Sequence, residues 1–368
     1  MSRSKMCWLY STMGRTHAAI EFREAKIVWM ALCLAIIAGP GHADPPGELL
    51  FDRNGLITLE MTAPFRELIR DRHGESAYSA GELSNRDGDG RQVVLHVEIR
   101  PRGKTRRRKD FCEFPPLRLR FGAGVAGTLF DGQHTLKLVT HCQNKDSYDQ
   151  YVVQEYLAYR AYNQLTERGH RVRLARITYI ESNGRVRTTR YGILLEDRRA
   201  VAARNSLAAE DVDGAVNIKK LSIADANRVA VFQYMIGNQD WSMLWPEPKE
   251  NCCHNTKPLL APDGTVVPLP YDFDFSGIVN TPYALAKNGS GNVRMRRYGG
   301  LCPTQSELPA ALLHFREQRD AIYALYRDQP EVSARRRRSA LNYLDGFYRV
   351  IDDAARVEKR MVRNCRKE

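Results

Sequence analysis

The chain has 368 residues, 43% of them hydrophobic, and a formal net charge of +13. That excludes wholesale disorder and allows a substantial core, built as one large domain or two lobes. The basic excess points to anionic partners, although net charge governs association and solubility rather than fold.

The first segment reads as an export signal. "FREAK" (Phe22 to Lys26) precedes the apolar run Ile27 to Gly39, and "GPGHA" then places a small residue before the Pro-rich "DPPGE". This pattern predicts a secretory leader over residues 1–43, cleaved after Ala43, because the apolar core is shorter than the roughly 20 residues a membrane span requires. A retained N-terminal anchor is the alternative. The long stretch before Phe22 suggests that translation starts downstream of Met1. Removing residues 1–43, with five Lys/Arg and two Glu, leaves +10. Six cysteines follow the leader: Cys112, Cys142, Cys252, Cys253, Cys302 and Cys365. An even number in an exported chain favours disulfides, and Cys112 with Cys142, flanking neighbouring strands, is the first pair expected. "CCH" (Cys252 to His254) lacks the spacing of a zinc site.

Beyond the leader, "LITLEM" and "RQVVLHVEIR" alternate as strands on either side of the turn-rich "SNRDGDG", and "PLRLRF" and "HTLKLVT" continue the sheet. The run "KTRRRK" (Lys104 to Lys109) reads as a solvated loop, and "RRRR" (Arg335 to Arg338) as a solvated helix face. Neither carries interleaved aromatics at a motif spacing, so nucleic acid is disfavoured and an anionic envelope surface stays open. "GAGVAG" (Gly122 to Gly127) fits either a phosphate-cradling glycine loop or a plain turn. The period then changes to that of a helix over Tyr148 to Gly169, and two strands follow, joined at "SNG". A Ser-x-x-Asp cap opens a helix over Ser222 to Asn238, and long helices run from about Ser306 to the end.

Several polar residues allow two readings, Lys137 on an exposed sheet face with Glu155 reaching out to solvent, or the two drawn together inside. Lys137 lies inside "TLKLVT" opposite Leu136 and Leu138, and Glu155 shares a helix face with Val152, Tyr159 and Tyr162. A charge there is costly without a partner, and a Lys137–Glu155 ion pair would resolve both. "IGNQDWS" places Asp240 just past a helix, where it could accept the proton of an attacking hydroxyl, with Asn255 further on. "PYDFDFSG" sets Asp272 and Asp274 two residues apart in what reads as a strand; on one face they would repel, and a divalent cation would reverse that cost. His141 and His254 read as structural.

The order of these parts, a strand with a lysine, a helix with an inward glutamate, a strand pair, a helix, a polar loop with Asp and a strand ending in Asp-Phe, is that of a protein-kinase-like fold. Between about Leu117 and Ile278, "LKLVT", "QEYLAYRAYNQL", "YGILLED", "IGNQDWS", "HNTKPL" and "PYDFDFSG" resemble the spore-coat protein H (CotH) family of atypical kinases and relatives. That resemblance implies an α+β, two-lobed protein-kinase-like fold, with a strand-rich N-lobe carrying one helix (residues 111–198, extended by 44–110) and a mostly helical C-lobe (199–368). It implies ATP with Mg²⁺ or Mn²⁺ and phosphoryl transfer to a protein hydroxyl. Lys137 would hold phosphate, Glu155 would orient it, Glu196 would line the nucleotide cleft, and Asp240 would be the acid–base residue. Asp272 would ligate the metal, with Asp274 and Asn255 as further ligands. The position five residues after Asp240, where kinases keep an Asn, is Trp245. Two other readings remain: a kinase-fold binder without catalysis, and a metal-dependent glycosyltransferase using Asp-x-Asp.

Overall fold

Alternating apolar residues determine the first half of the structure. The computed structural model describes residues 48–71, 76–248, 251–285 and 292–367, so the leader and the glycosylation-type "NGS" at Asn288 lie outside the described residues. Helix α1 (Glu48–Asp52) precedes β1 (Ile57–Ala63), which buries Leu59, Met61 and Ala63 on one side. Helix α2 (Phe65–Arg70) leads to β2 (Ser79–Arg86), β3 (Gln92–Pro101), β4 (Leu117–Phe121) and β5 (Thr135–Val139), each antiparallel to the one before. After α3 (Asp146–Leu165) come β6 (Val172–Glu181) and β7 (Val186–Leu195), with β7 between β5 and β6.

The circle closes because β1 pairs antiparallel with β2 and parallel with β6, from Ile57 opposite Ala175 to Ala63 opposite Glu181. Residues at a period of two fill the interior: Leu59, Met61, Val97, Leu119, Leu138 and Ile177 belong to one apolar core. Gly81 of β2 lies so close to the Thr62 carbonyl that a Cβ would strike backbone, which explains a glycine in mid-strand. The two-lobed protein-kinase-like fold expected from the order of elements is therefore corrected. The strands form a closed, mixed seven-stranded barrel within an α+β structure, and residues 44–368 make one compact unit. The strand β2 went unread because its only large apolar residue is Leu83 and its end, "SNR", looks like a turn.

The second half is helical around a small β-ribbon: α4 (Arg198–Arg204), α5 (Ile223–Ile236), β8 (Thr256–Leu260) paired with β9 (Val266–Pro270), then α6 (Leu308–Glu317), α7 (Arg319–Asp328), α8 (Ala334–Ile351) and α9 (Ala354–Val357). Ser222 caps α5 by accepting the Asp225 N–H, as its sequence pattern anticipates, and Gly237 ends it at φ 68°. A side chain at Gly237 would also strike the Tyr343 hydroxyl. Helix α3 is the element common to both halves. It packs on β6 and β7 and on α5 and α7, and Val152 through Tyr159 are all buried, so a charge within it cannot reach water.

The basic runs are less solvated than expected. Arg106 and Arg107 are buried, and in α8 Arg336 stacks on Tyr151 while Arg337 donates to the Gln329 carbonyl at 2.9 Å. The cysteines pair as Cys112–Cys142, Cys252–Cys253 and Cys302–Cys365, with Cα–Cα distances of 4.6, 3.0 and 5.0 Å, so the first bridge is the one expected and the "CCH" thiols are occupied. Among the described residues no helix is long and apolar enough to cross a membrane.

The Cys302–Cys365 bridge closes a loop with a sequence separation of 63 and ties the C-terminal segment to the turn before α6. Replacing both with Ser should lower stability by about 2–4 kcal/mol, read from denaturant unfolding under oxidising conditions. An unchanged midpoint would show that the helices hold the terminus without it.

Candidate functional site

The site is organised around Arg106, which the 3-10 turn Thr105–Arg107 turns inward from the basic run. Its Nη1 lies 3.5 Å from Glu155 Oε2 and 3.4 Å from Asp274 Oδ2, and its Nη2 donates to the Thr140 carbonyl at 2.8 Å. One buried cation thus faces two buried carboxylates. Burial pushes Glu155 up to about 7, against the pull of Arg106, with Asp272 adding to the rise. Burial likewise holds Asp274 well above the usual carboxylate range, with Asp272 again contributing. The Tyr283 hydroxyl donates to Asp274 Oδ2 at 3.0 Å, and the Thr281 hydroxyl to its backbone carbonyl at 3.0 Å.

Lys137 projects from the outer face of β5, directly across from Arg118 on β4 and Leu195 on β7. Its ammonium sits 5.2 Å above the Tyr271 ring. Burial, then Arg102 and Arg118, drive it down to about 7. The expected Lys137–Glu155 ion pair is not formed; the cation beside Glu155 is Arg106. Glu196 does not line a cleft either. Its carboxylate accepts from Arg204 Nε at 2.9 Å and from the Arg171 N–H at 2.8 Å, which holds the end of β7. The acid that acts on Lys137 is its neighbour Asp197, the N-cap of α4.

The loop after α5 brings two expected residues together. Asn255 Nδ2 donates to the Asp240 carbonyl at 2.8 Å and to Asp240 Oδ2 at 3.0 Å. His254 Nε2 lies 2.7 Å from Asp240 Oδ1, and its Nδ1 lies 3.4 Å from Glu247. The fifteen-residue separation from Asp240 to Asn255 is thus no obstacle, because the chain returns to this loop at His254, whose carbonyl accepts the Ser242 N–H at 2.9 Å. The Asn255 carbonyl in turn accepts the Tyr271 N–H at 3.1 Å, which links Asp240 to the segment holding Asp272.

That segment is not a strand. β9 ends at Pro270 and Asp272 adopts φ 64°, donating its N–H to the Tyr159 hydroxyl at 2.8 Å. Phe273 is fully buried against Tyr159 and Phe232, whereas Phe275 is half-buried beside Tyr283, so the two rings do not anchor one common face. Asp274 is committed to Arg106 and Tyr283. Asp272, half-buried, accepts no hydrogen bond on its carboxylate among the described residues, and it is the first charge felt by Arg102. An Asp-x-Asp metal site would need both carboxylates, and only Asp272 is uncommitted.

Among the described residues no three His, Cys, Asp or Glu side chains form a metal cage. A magnesium-type ion held by one or two protein ligands and by substrate phosphates needs no such cage. Of the expected ligands, the Asp272 carboxylate is uncommitted, Asp274 is held by Arg106 and Tyr283, and the Asn255 side chain is turned to Asp240 through its Nδ2. The glycine-rich stretch is an exposed turn at Gly124 and Gly127, and the Gly127 N–H is taken by Asp131 at 2.9 Å. Sequence reasoning missed Arg102, Arg106, Arg118 and Asp197. A signal existed for Arg118, which alternates with Leu117 and Leu119. Compared with known proteins, the chain matches no protein-family model, and no curated protein matches it.

Arg106→Met should cost about 3–5 kcal/mol, because it strands two buried carboxylates. The titration of Glu155 gives a second test. Its folded value near 7 exceeds the ordinary 4.5, so the folded chain holds a proton that the unfolded chain loses between those values. This contribution is fully present below about pH 4.5 and is lost as pH rises through about 7. Unfolding curves from pH 5 to 8 should show wild type losing stability relative to Glu155→Gln by on the order of 2 kcal/mol. Parallel pH profiles would contradict the assignment.

Proposed function

We propose that this protein transfers a phosphoryl group from ATP, with Mg²⁺ or Mn²⁺, to a hydroxyl of a protein acceptor. The observation that carries this reading is the uncommitted Asp272 carboxylate, set beside Arg102 and near Lys137 and Arg118, with Asp240 and Asn255 joined to the same segment. The run of fragments resembling the CotH family supports the same chemistry. Phosphoryl transfer is a property of a site and is not tied to one fold.

On this reading Lys137, Arg118 and Arg102 hold the phosphate oxygens, which suits guanidinium forks and a compact ammonium. Asp272 and Asn255 hold the divalent ion, which would neutralise charge developing on the transferred group. Asp240, oriented by His254 and Asn255, takes the proton of the acceptor hydroxyl. Glu155 acts indirectly, through Arg106, by fixing the segment from Tyr271 to Asp274. The disulfides and the leader expected over residues 1–43 support work outside the cytoplasm, in a periplasm or beyond the cell, with the N-terminal segment as signal or tether. A second reading, binding of a nucleotide without transfer, draws on the engagement of both Asp240 oxygens by His254 and Asn255.

Incubation with γ-labelled ATP and Mn²⁺ should label the chain or a generic protein acceptor, and Asp272→Ala should abolish labelling. Asp240→Asn should cut transfer by about 10²-fold or more while nucleotide binding persists. Tight binding without transfer in wild type would establish the second reading, and a preference for nucleotide-sugars over ATP would replace both.

Lys137 offers an independent check. With a value near 7 it is largely neutral at pH 8, and a bound phosphate would raise it again. ATP binding at pH 8 should therefore take up protons, visible as a calorimetric enthalpy that changes with the ionisation heat of the buffer. The effect should vanish in Lys137→Gln.

A further inference from the structure

A cavity of about 1080 Å³ opens beside the barrel, between α2 and the β6–β7 hairpin, and the candidate active site does not use it. Its walls carry five cations, Arg66, Arg70, Lys109, Arg185 and Arg187, against the single carboxylate of Glu113. Arg187 is paired with Glu181 at 2.6 Å. The side chains of Arg66, Arg70, Lys109 and Arg185 make no ion pair or hydrogen bond among the described residues. Five cations against one wall carboxylate repel one another, and folding does not require them here, since the packing beneath is done by apolar residues such as Phe114.

A second observation concerns the same cavity. His141 is 1% exposed, lines the cavity, and its Nδ1 has no hydrogen-bond partner. The ring is held in place by Phe114 at 4.7 Å and Tyr179 at 5.6 Å. Burial, then the charges of Arg190, Arg106 and Arg187, drive it down to about 3, so the imidazole is neutral and offers one uncharged hydrogen bond. A buried nitrogen without a partner, beneath a group of cations that outnumber their counter-charges, is a feature that a ligand would explain.

We propose that this cavity binds a compact polyanion bearing phosphate groups, gripped by Arg66, Arg70, Lys109 and Arg185, with His141 supplying a neutral contact. Guanidinium forks suit phosphate oxygens, and four exposed cations can surround a ligand with several of them. The volume admits a tripolyphosphate or the phosphorylated headgroup of a lipid. The site is separate from Lys137 and Asp272 and stands whether or not the phosphoryl-transfer reading does. Its link to them is His141 itself, which follows Thr140, the residue whose carbonyl accepts from Arg106.

The test uses the full chain with two probes: sodium tripolyphosphate in titration calorimetry, and flotation with phosphatidylcholine vesicles with or without phosphatidylinositol bisphosphate. Arg70→Gln and Arg185→Gln, both exposed positions, should each weaken binding about tenfold. His141→Phe, which keeps an aromatic ring in place, should weaken it too, while Lys219→Gln, at an exposed lysine outside the cavity, should leave it intact. Binding of free tripolyphosphate would identify a soluble phosphate ligand. Binding only to the bisphosphate vesicles, with the same loss in the variants, would identify a lipid headgroup. The proposal falls if neither probe binds, if the Arg70 and Arg185 variants bind as wild type does, or if Lys219→Gln abolishes binding equally.

Discussion

A single guanidinium joins the barrel to the helical half. Arg106 reaches Thr140 at the end of β5, Glu155 in the middle of α3 and Asp274 beyond β9, partners between 34 and 168 residues away in sequence. The net stabilisation of such a cluster is small, because removing three charges from water offsets most of their attraction. What the cluster restricts is geometry. The planar group accepts its partners only in particular directions, so three elements that could otherwise slide are held in one register. Glu155 is forced into this arrangement by its helix, since every residue of α3 from Val152 to Tyr159 is buried and leaves it no path to solvent.

The charges on either side of Arg106 are unequal. Around it, the carboxylates of Glu155, Asp272 and Asp274 outnumber the cations; around Lys137, the cations Arg102 and Arg118 outnumber the acids. Burial is the main force on both titrating groups: it raises Glu155 to about 7 against the pull of Arg106, with Asp272 adding to the rise, and lowers Lys137 to about 7, with Arg102 and Arg118 adding to the fall. Structural ion pairs normally drive carboxyls down and amines up; at these two positions burial outweighs the partners present. On the proposed reading, a phosphate would complete the basic half and a divalent cation the acidic half. Arg102, which senses both Lys137 and Asp272, lies where the two halves meet.

Much of the local structure was legible in the sequence, and the closure was not. The alternation around Lys137 set it opposite Leu136 and Leu138, which the structure buries, the 3.6-residue period marked α3 and placed Glu155 inward, and the Ser-x-x-Asp pattern at Ser222 opened α5. The Cys112–Cys142 pair followed from strands being neighbours. Closure depends on β2 and on the parallel pairing of β1 with β6, more than a hundred residues apart, and neither leaves a local pattern. A linear order of strands and helices is the same for an open sheet and for a barrel, which is why the expected architecture failed. The role of Arg106 was hidden for a related reason. Five basic residues in six read as a solvated loop, and only the buried carboxylates it meets in space distinguish Arg106 from Lys104 or Arg108.

The two aspartates of "PYDFDFSG" show how backbone geometry separates residues that the sequence presents as equivalent. Had β9 continued, both would face one way and share one environment. The strand instead stops at Pro270, and the left-handed conformation at Asp272, fixed by its N–H bond to Tyr159, breaks the alternation. Phe273 is drawn into the core against Phe232, and the turn that follows carries Asp274 inward to Arg106 and Tyr283. A non-glycine residue in that conformation is strained by on the order of 1 kcal/mol or more, a cost the packing of Phe273 and the Arg106 cluster can sustain. The result is a division of labour: Asp274 becomes a buried structural acid, and Asp272 is left half-buried, beside Arg102, with a carboxylate that nothing in the described structure uses.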